Sequence, residues 1–440
     1  MLRPVRQGPP VLLLLILTTV LAIAAGLAAW QPWARPAPDR QTTGETSPPS
    51  PAAPASPAAA PATPSTEPAP EPDPAVFTIG AAGDVLPHDT PIRVAHQGVS
   101  DYDFTPLLEA TRAWSEGVDL ALCNMEVPLA LPGEAPSGYP RFGAPEQLVA
   151  NLAGLGWDGC STGTNHTLDR GAANAEFTLD QFDANGLGHA GSARSRAEEE
   201  RAQFYELQRE GQTIRVAQIG GTFGTNGLPI PPEQPWVVSL LDSRRLIERA
   251  ENAREEGADL VVATLHWGNE YELAAADVQR DLAAELADSG AIDLIIGTHP
   301  HVPQEFAKLD GGPGGEGMWV AYSLGNFLSN QDSHCCIPET ATGLFLTATV
   351  TKPADAPARV TGMEWTPVTV DRLGDNHAYP LLDLLEDPPA RLTLTEEVLR
   401  DRLARVERVM ATSTGAEFTM RTTAPTPTGP PAVVIPRSDE

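Results

Sequence analysis

The residues able to do chemistry fall into short polar motifs, each directly behind an apolar run. Asp84 follows the first run in Gly83-Asp84-Val85-Leu86, and Asn124 and Glu126 follow the second. Asn165 and His166 sit in Gly163-Thr-Asn-His-Thr-Leu-Asp-Arg-Gly171, His266 opens His266-Trp-Gly-Asn-Glu-Tyr271, and His299 and His301 lie in Gly297-Thr-His-Pro-His-Val302. Taken singly, Asp84 reads as a turn cap, Glu126 as a solvated loop charge and His266 as a satisfied core histidine. Together, imidazole, carboxylate and amide donors of this kind suit Mn, Fe or Zn rather than Ca. Around them, Arg170 offers a charge for an anionic group, Trp267, Glu270 and Tyr271 offer a groove wall, and Asn326 offers a side chain to orient a ligand.

Elements that can bring such distant motifs together are legible in the same pattern. Apolar runs predict strands at 76–82, 118–123, 157–162, 214–219, 259–266, 292–297, 319–324 and 344–350. Amphipathic stretches predict helices at 106–114, 145–155, 172–184, 242–256 and 275–289. Strand and helix alternation of this kind gives an α/β domain with a partly parallel sheet, and ligands collect at the carboxyl ends of parallel strands.

The ordered series Gly83-Asp84, Asn124-Met-Glu126, Thr164-Asn-His166 with Asp169 and Gly171, His266-Trp-Gly, Gly297-Thr-His-Pro-His301 and Tyr322-Ser-Leu-Gly-Asn-Phe327 resembles the CapA family. That family is linked to capsule and poly-γ-glutamate production and is similar to calcineurin-like metallophosphatases. The resemblance implies an αββα sandwich of two sheets flanked by helices, carrying two divalent metal ions (Mn, Fe or Zn). It further implies that Asp84 and His301 hold one ion, and that Asn165, His266 and His299 hold the other. Glu126 takes the place of a bridging Asp, and His166 is the general acid, with Asp169 and Asn326 supporting from behind. One departure stands out. Metallophosphatases place a His two residues after the first Asp, and here that residue is Leu86; His88 lies nearby and reads as a turn residue.

The flanks set the context. Arg3 and Arg6 precede an uncharged apolar run from Val11 to Trp30, long enough to span a bilayer of ~20 residues' thickness. Residues 1–35 are therefore expected to be a signal-anchor or a signal peptide cleaved near Ala28 and Ala29. The Pro/Ala-rich stretch 36–74 reads as a disordered stalk reaching on the order of 100 Å when extended. The folded domain is expected over 75–390, a C-terminal helix over 391–412 and a disordered tail over 413–440. With 29 Lys+Arg against 58 Asp+Glu, the net charge is −29, which disfavours nucleic acid as a partner. The expected partners are the membrane, through the N-terminal helix, a cell-surface polymer or its precursor, and a polymer synthesis/export complex. Cys123 and Cys160 read as a disulfide or as two buried thiols, and Cys335-Cys336 beside His334 as a metal-binding or vicinal pair. Two functions follow: an extracytoplasmic metal-dependent hydrolase of capsule or poly-γ-glutamate biosynthesis, and a non-catalytic scaffold on the same fold.

Overall fold

The computed structural model describes residues 73–98 and 101–437. The expected N-terminal helix and stalk lie outside the described residues. No helix among those described is long and apolar enough to cross a membrane.

Two mixed sheets pack face to face. The larger runs His377–Pro380, Arg359–Asp371, Thr342–Lys352, Ala75–Val85, Leu120–Met125, Gly159–Ser161, Gly188–Ala190, with Asn326–Leu328 beside Ala75–Val85 and Phe418–Met420 beside Arg359–Asp371. Its half from Ala75–Val85 to Gly188–Ala190 is parallel, and the rest of the main run is antiparallel. The second sheet runs Phe306–Leu309, Met318–Ala321, Leu294–Thr298, Leu260–His266, Gln212–Thr222, Gln203–Arg209, Val433–Ile435. Its centre is parallel as well.

Strand alternation explains the layering. Phe77, Ile79, Leu120 and Leu122 of the first sheet meet Val216, Leu260, Val262, Leu294 and Ile296 of the second in one core. On the far face of the first sheet, Cys123 and Cys160 pack with Leu148, Val149 and Leu152 of the helix Gln147–Gly154. On the far face of the second, Val261 and Ile295 pack with Leu246 and Ala250 of the helix Ser243–Glu255 and Ala283 and Leu286 of the helix Asp277–Ser289. The result is a mixed α/β fold with a helix layer outside each sheet. Cys123 and Cys160 are register partners on adjacent parallel strands, and their sulfurs are bonded. Cys335 and Cys336 are free thiols.

The structure departs from the sequence reading at several elements. Gly188–Ala190, Gln203–Arg209, Phe306–Leu309, Asn326–Leu328 and His377–Pro380 are unexpected strands. Three further departures bear most on the fold. The helix expected at 106–114 is broken into the turns Thr105–Leu108, Glu109–Thr111 and Arg112–Ser115. The strand Arg359–Asp371, which carries much of the antiparallel half, was not anticipated. The third is a correction: the tail expected to be disordered beyond Ser413 is ordered through Arg437. Phe418–Met420 and Val433–Ile435 each add an edge strand to one sheet. It docks through backbone pairing, through Phe418, Met420 and Val434 packed against the central core, and through Arg437, which is buried and donates to the carbonyls of His189 and Glu198.

Candidate metal centre

Every proposed ligand leaves the carboxyl end of a parallel strand, where the sheet stops and the side chains converge. Asp84 ends Ala75–Val85, Glu126 follows Leu120–Met125, His266 ends Leu260–His266, and His299 and His301 follow Leu294–Thr298. Gly83 makes the approach of the Gly325-Asn326 turn feasible, since a Cβ there would lie 1.8 Å from the Gly325 carbonyl oxygen. That carbonyl accepts from the Asp84 amide at 2.9 Å.

Asp84 is fully buried and works in three directions. Its Oδ1 accepts from Asn124 Nδ2 at 2.9 Å and from the His299 amide at 3.4 Å, while Oδ2 lies 2.9 Å from His301 Nδ1. Glu126 is also fully buried, yet neither carboxylate oxygen has a hydrogen-bond partner. Its Oε1 lies 3.7 Å from both His266 Nε2 and His301 Nε2. Burial first, and the Asp84 charge second, push the Glu126 carboxyl well above the usual carboxylate range. Burial alone would lower the His301 imidazole, but Glu126 and Asp84 raise it to about 9. His266 and His299 are pushed well down, by burial first and by the neighbouring histidines second.

Two buried carboxylate oxygens without a hydrogen bond are costly, because a desolvated polar group whose bonding capacity is unmet loses several kcal/mol. His299 Nδ1 is likewise buried and unpartnered. Three donor groups lie within 4.8 Å: Glu126, His266 and His299; Asp84, Glu126 and His301; and Glu270, His299 and His301. Glu126 is common to the first two. The chemistry of this donor set, and the unmet bonding capacity of Glu126 and His299, fit divalent cations. Asn165 joins the His266 side, its Oδ1 2.9 Å from His266 Nε2 and its Nδ2 donating to Asn226 Oδ1 at 3.2 Å. The His266 ring is fixed from behind by Thr298 Oγ1 at 3.0 Å. Asn326 donates to the His301 carbonyl at 3.3 Å and to the Thr340 carbonyl at 2.9 Å, holding the turn that carries His301.

His299 and His301 adopt left-handed backbone conformations, with φ of 97° and 61°. Each costs roughly 1–3 kcal/mol and persists only where surrounding structure over-determines it, as functional sites do. His166 stands beside the cluster. Its Nδ1 lies 2.8 Å from Asp169 Oδ2, and Asp169 also accepts from the Phe142 amide at 2.8 Å. Phe142 meets the His166 ring edge-on, with centroids 4.8 Å apart.

A pocket of about 610 Å³ opens over this centre, lined by His166, His301, Glu270, Tyr271, Tyr139 and Arg372 among others. Two sequence expectations are corrected here. Arg170 does not line this pocket; its Nη2 donates to the Ala135 carbonyl at 2.5 Å on the neighbouring surface. Trp267 is buried, donates to the Tyr322 carbonyl at 2.9 Å and stacks on Tyr322, because the residue after His266 points to the opposite face. Asn226, in the turn Thr225-Asn-Gly227, and Arg372 were not singled out. The first carries an ordinary turn signal, and the second has no motif around it.

Residues 78–331 match the family described as "Bacterial capsule synthesis protein PGA_cap". The chain belongs to this family. Over 264 residues it is 27% identical to "Capsule biosynthesis protein CapA" of Bacillus anthracis, covering 58% of this chain and 60% of that protein. Over 187 residues it is 29% identical to "PGA biosynthesis protein CapA" of Bacillus subtilis strain 168, covering 42% of this chain and 46% of that protein. The matched region thus spans less than two thirds of either relative. Among solved structures, the calcineurin-like phosphoesterase YfkN of Bacillus subtilis is similar, with a TM-score of 0.39 at 16% identity, covering 76% of this chain and 98% of that one. The family match contains Asp84 through Asn326 and ends before Arg372.

Proposed function

We propose that this member of the capsule-synthesis family is a membrane-anchored, extracytoplasmic metal-dependent hydrolase acting on a cell-surface polymer, such as poly-γ-glutamate, or on its precursor. The observation that carries the reading is His166, held by Asp169 and lining the same pocket as His301, whose buried donor group contains the Glu126 carboxylate without a hydrogen bond. Asp84, Glu126 and His301 would hold one divalent ion, and Asn165, His266, His299 and the shared Glu126 the other. Ions bound there would supply Lewis acidity and a nucleophile at neutral pH. Asp169 holds His166 by Nδ1, which leaves Nε2 as the atom to deliver a proton to a leaving group. Among the described residues Arg372 is the one Arg or Lys lining the pocket, with Asp332 Oδ1 3.8 Å from its Nε. Its Nε donates to the Asn330 carbonyl at 3.1 Å, and this anchored guanidinium supports an anionic substrate in an otherwise acidic protein.

The test is hydrolysis by the purified chain loaded with Mn(II) or Zn(II). The substrates are p-nitrophenyl phosphate and γ-linked glutamate polymer, read beside the metal content of wild type and His299→Ala. Bound metal that falls with His299→Ala, together with turnover of either substrate, supports the hydrolase. Absence of bound metal would overturn it and leave a scaffold role in polymer assembly.

A further inference from the structure

Resting on the metal reading above, we infer that Glu270 is a metal ligand standing across both ion sites, opposite Glu126, and supplies a donor where Leu86 cannot. The donor atoms of Glu270, His299 and His301 lie within 4.8 Å of one another. His299 belongs to the group with Glu126 and His266, and His301 to the group with Asp84 and Glu126. A carboxylate that reaches one histidine of each group faces both sites.

The loop holding Glu270 is built onto the histidine turn. The Trp267 amide donates to the Thr298 carbonyl at 3.1 Å, and the Tyr271 amide donates to the Pro300 carbonyl at 2.8 Å. Gly268 and Tyr271 carry φ of 88° and 67°, so the chain folds back on both sides of Glu270. These bonds fix the loop, yet the Glu270 carboxylate has no hydrogen bond or ion pair among the described residues. It is exposed at the mouth of a centre that already contains the Asp84 and Glu126 carboxylates and the His299 and His301 imidazoles. His299, a member of the same group, has a buried and unpartnered Nδ1, a second sign that a ligand belongs at this histidine.

His88, the nearest imidazole in sequence to Leu86, does not fill this role. Its Nδ1 is 2.9 Å from the Leu86 carbonyl oxygen and 3.4 Å from the Asn330 amide, and its ring packs edge-on against Phe142. It belongs to none of the three donor groups.

The experiment titrates Mn(II) into the purified full-length chain, following bound metal by elemental analysis and by electron paramagnetic resonance. The variants are Glu270→Gln, His299→Ala and the exposed neighbour Glu272→Gln, with circular dichroism confirming that each is folded. Glu270→Gln is expected to weaken the second ion by about tenfold or more and to diminish the exchange-coupled signal, while Glu272→Gln matches wild type. If Glu270→Gln keeps wild-type stoichiometry and signal while His299→Ala loses metal, the metal centre stands and the role of Glu270 falls. If wild type binds no Mn(II), both fall together.

Discussion

His166 Nδ1 and Asp169 Oδ2 lie 2.8 Å apart within a single loop, and Asp169 is itself pinned by the Phe142 amide. A general acid matters most when the leaving group is a poor one. His166→Gln is therefore expected to slow hydrolysis of an alkyl ester by ~10²–10⁴-fold and of p-nitrophenyl phosphate by much less, with metal content unchanged. Asp169→Asn should shift in the same direction by a smaller factor. An equal loss on both leaving groups would contradict proton donation and point to a positioning role for the imidazole.

Glu126 yields a prediction of opposite sign in the metal-free and metal-loaded protein. Its carboxylate oxygens are buried without a hydrogen bond, and burial and the Asp84 charge disfavour the ionised form, so in the metal-free chain that charge is a liability a neutral amide removes. Metal-free Glu126→Gln should melt above metal-free wild type. Adding Mn(II) at 100 times its dissociation constant should then stabilise wild type by about 2.7 kcal/mol and leave the variant nearly unmoved. Chelator-treated and Mn-loaded melting curves of both proteins check it.

The clustering of the candidate ligands was legible because each follows an apolar run, and parallel strands deliver such residues to one edge. Alternation along a strand also explains the failure at Trp267, whose neighbour His266 takes the site face. Arg170 misled for a different reason. Tight turns within its loop, with Asp169 donating to the His166 carbonyl and Gly171 to the Leu168 carbonyl, send consecutive side chains to different surfaces. The tail was missed because edge pairing is made by backbone groups, which composition does not reveal. Arg372 enters the pocket from beyond the family match, by tertiary folding alone.

Asp158 supplies a pH dependence remote from the metal centre. Burial raises its carboxyl to about 7, partly offset by the Ala121 amide that donates to Oδ2 at 2.7 Å. Between the ordinary aspartate value and pH 7, the unfolded chain has released a proton that the folded chain retains. Folding stability therefore falls as pH rises through that window and levels off above it. Asp158→Asn keeps an acceptor for Ala121 and abolishes the titration. It should be about 1–3 kcal/mol more stable than wild type at pH 8 and nearly equal at pH 4, by urea unfolding at both.

The ordered C-terminus makes the last prediction. Thr428 donates its amide to Asp119 Oδ1 at 2.6 Å, on the same oxygen that accepts from Arg209 Nη2 at 2.7 Å. Both Asp119 and Arg209 are buried. Five residues further on, Val433–Ile435 covers the edge of Gln203–Arg209, and Arg437 donates to the His189 carbonyl at 2.7 Å and to the Glu198 carbonyl. A chain ending at Thr412 strips one acceptor's partner from a buried ion pair and bares a pairing edge on each sheet, a recipe for aggregation. It should lose several kcal/mol and associate on storage. Arg437→Ala alone, which orphans carbonyls without baring the edge, should cost about 1–3 kcal/mol and remain monodisperse. Urea unfolding and light scattering of the two variants separate the contributions, and a truncated chain as stable as wild type would show that the tail only rests on the surface.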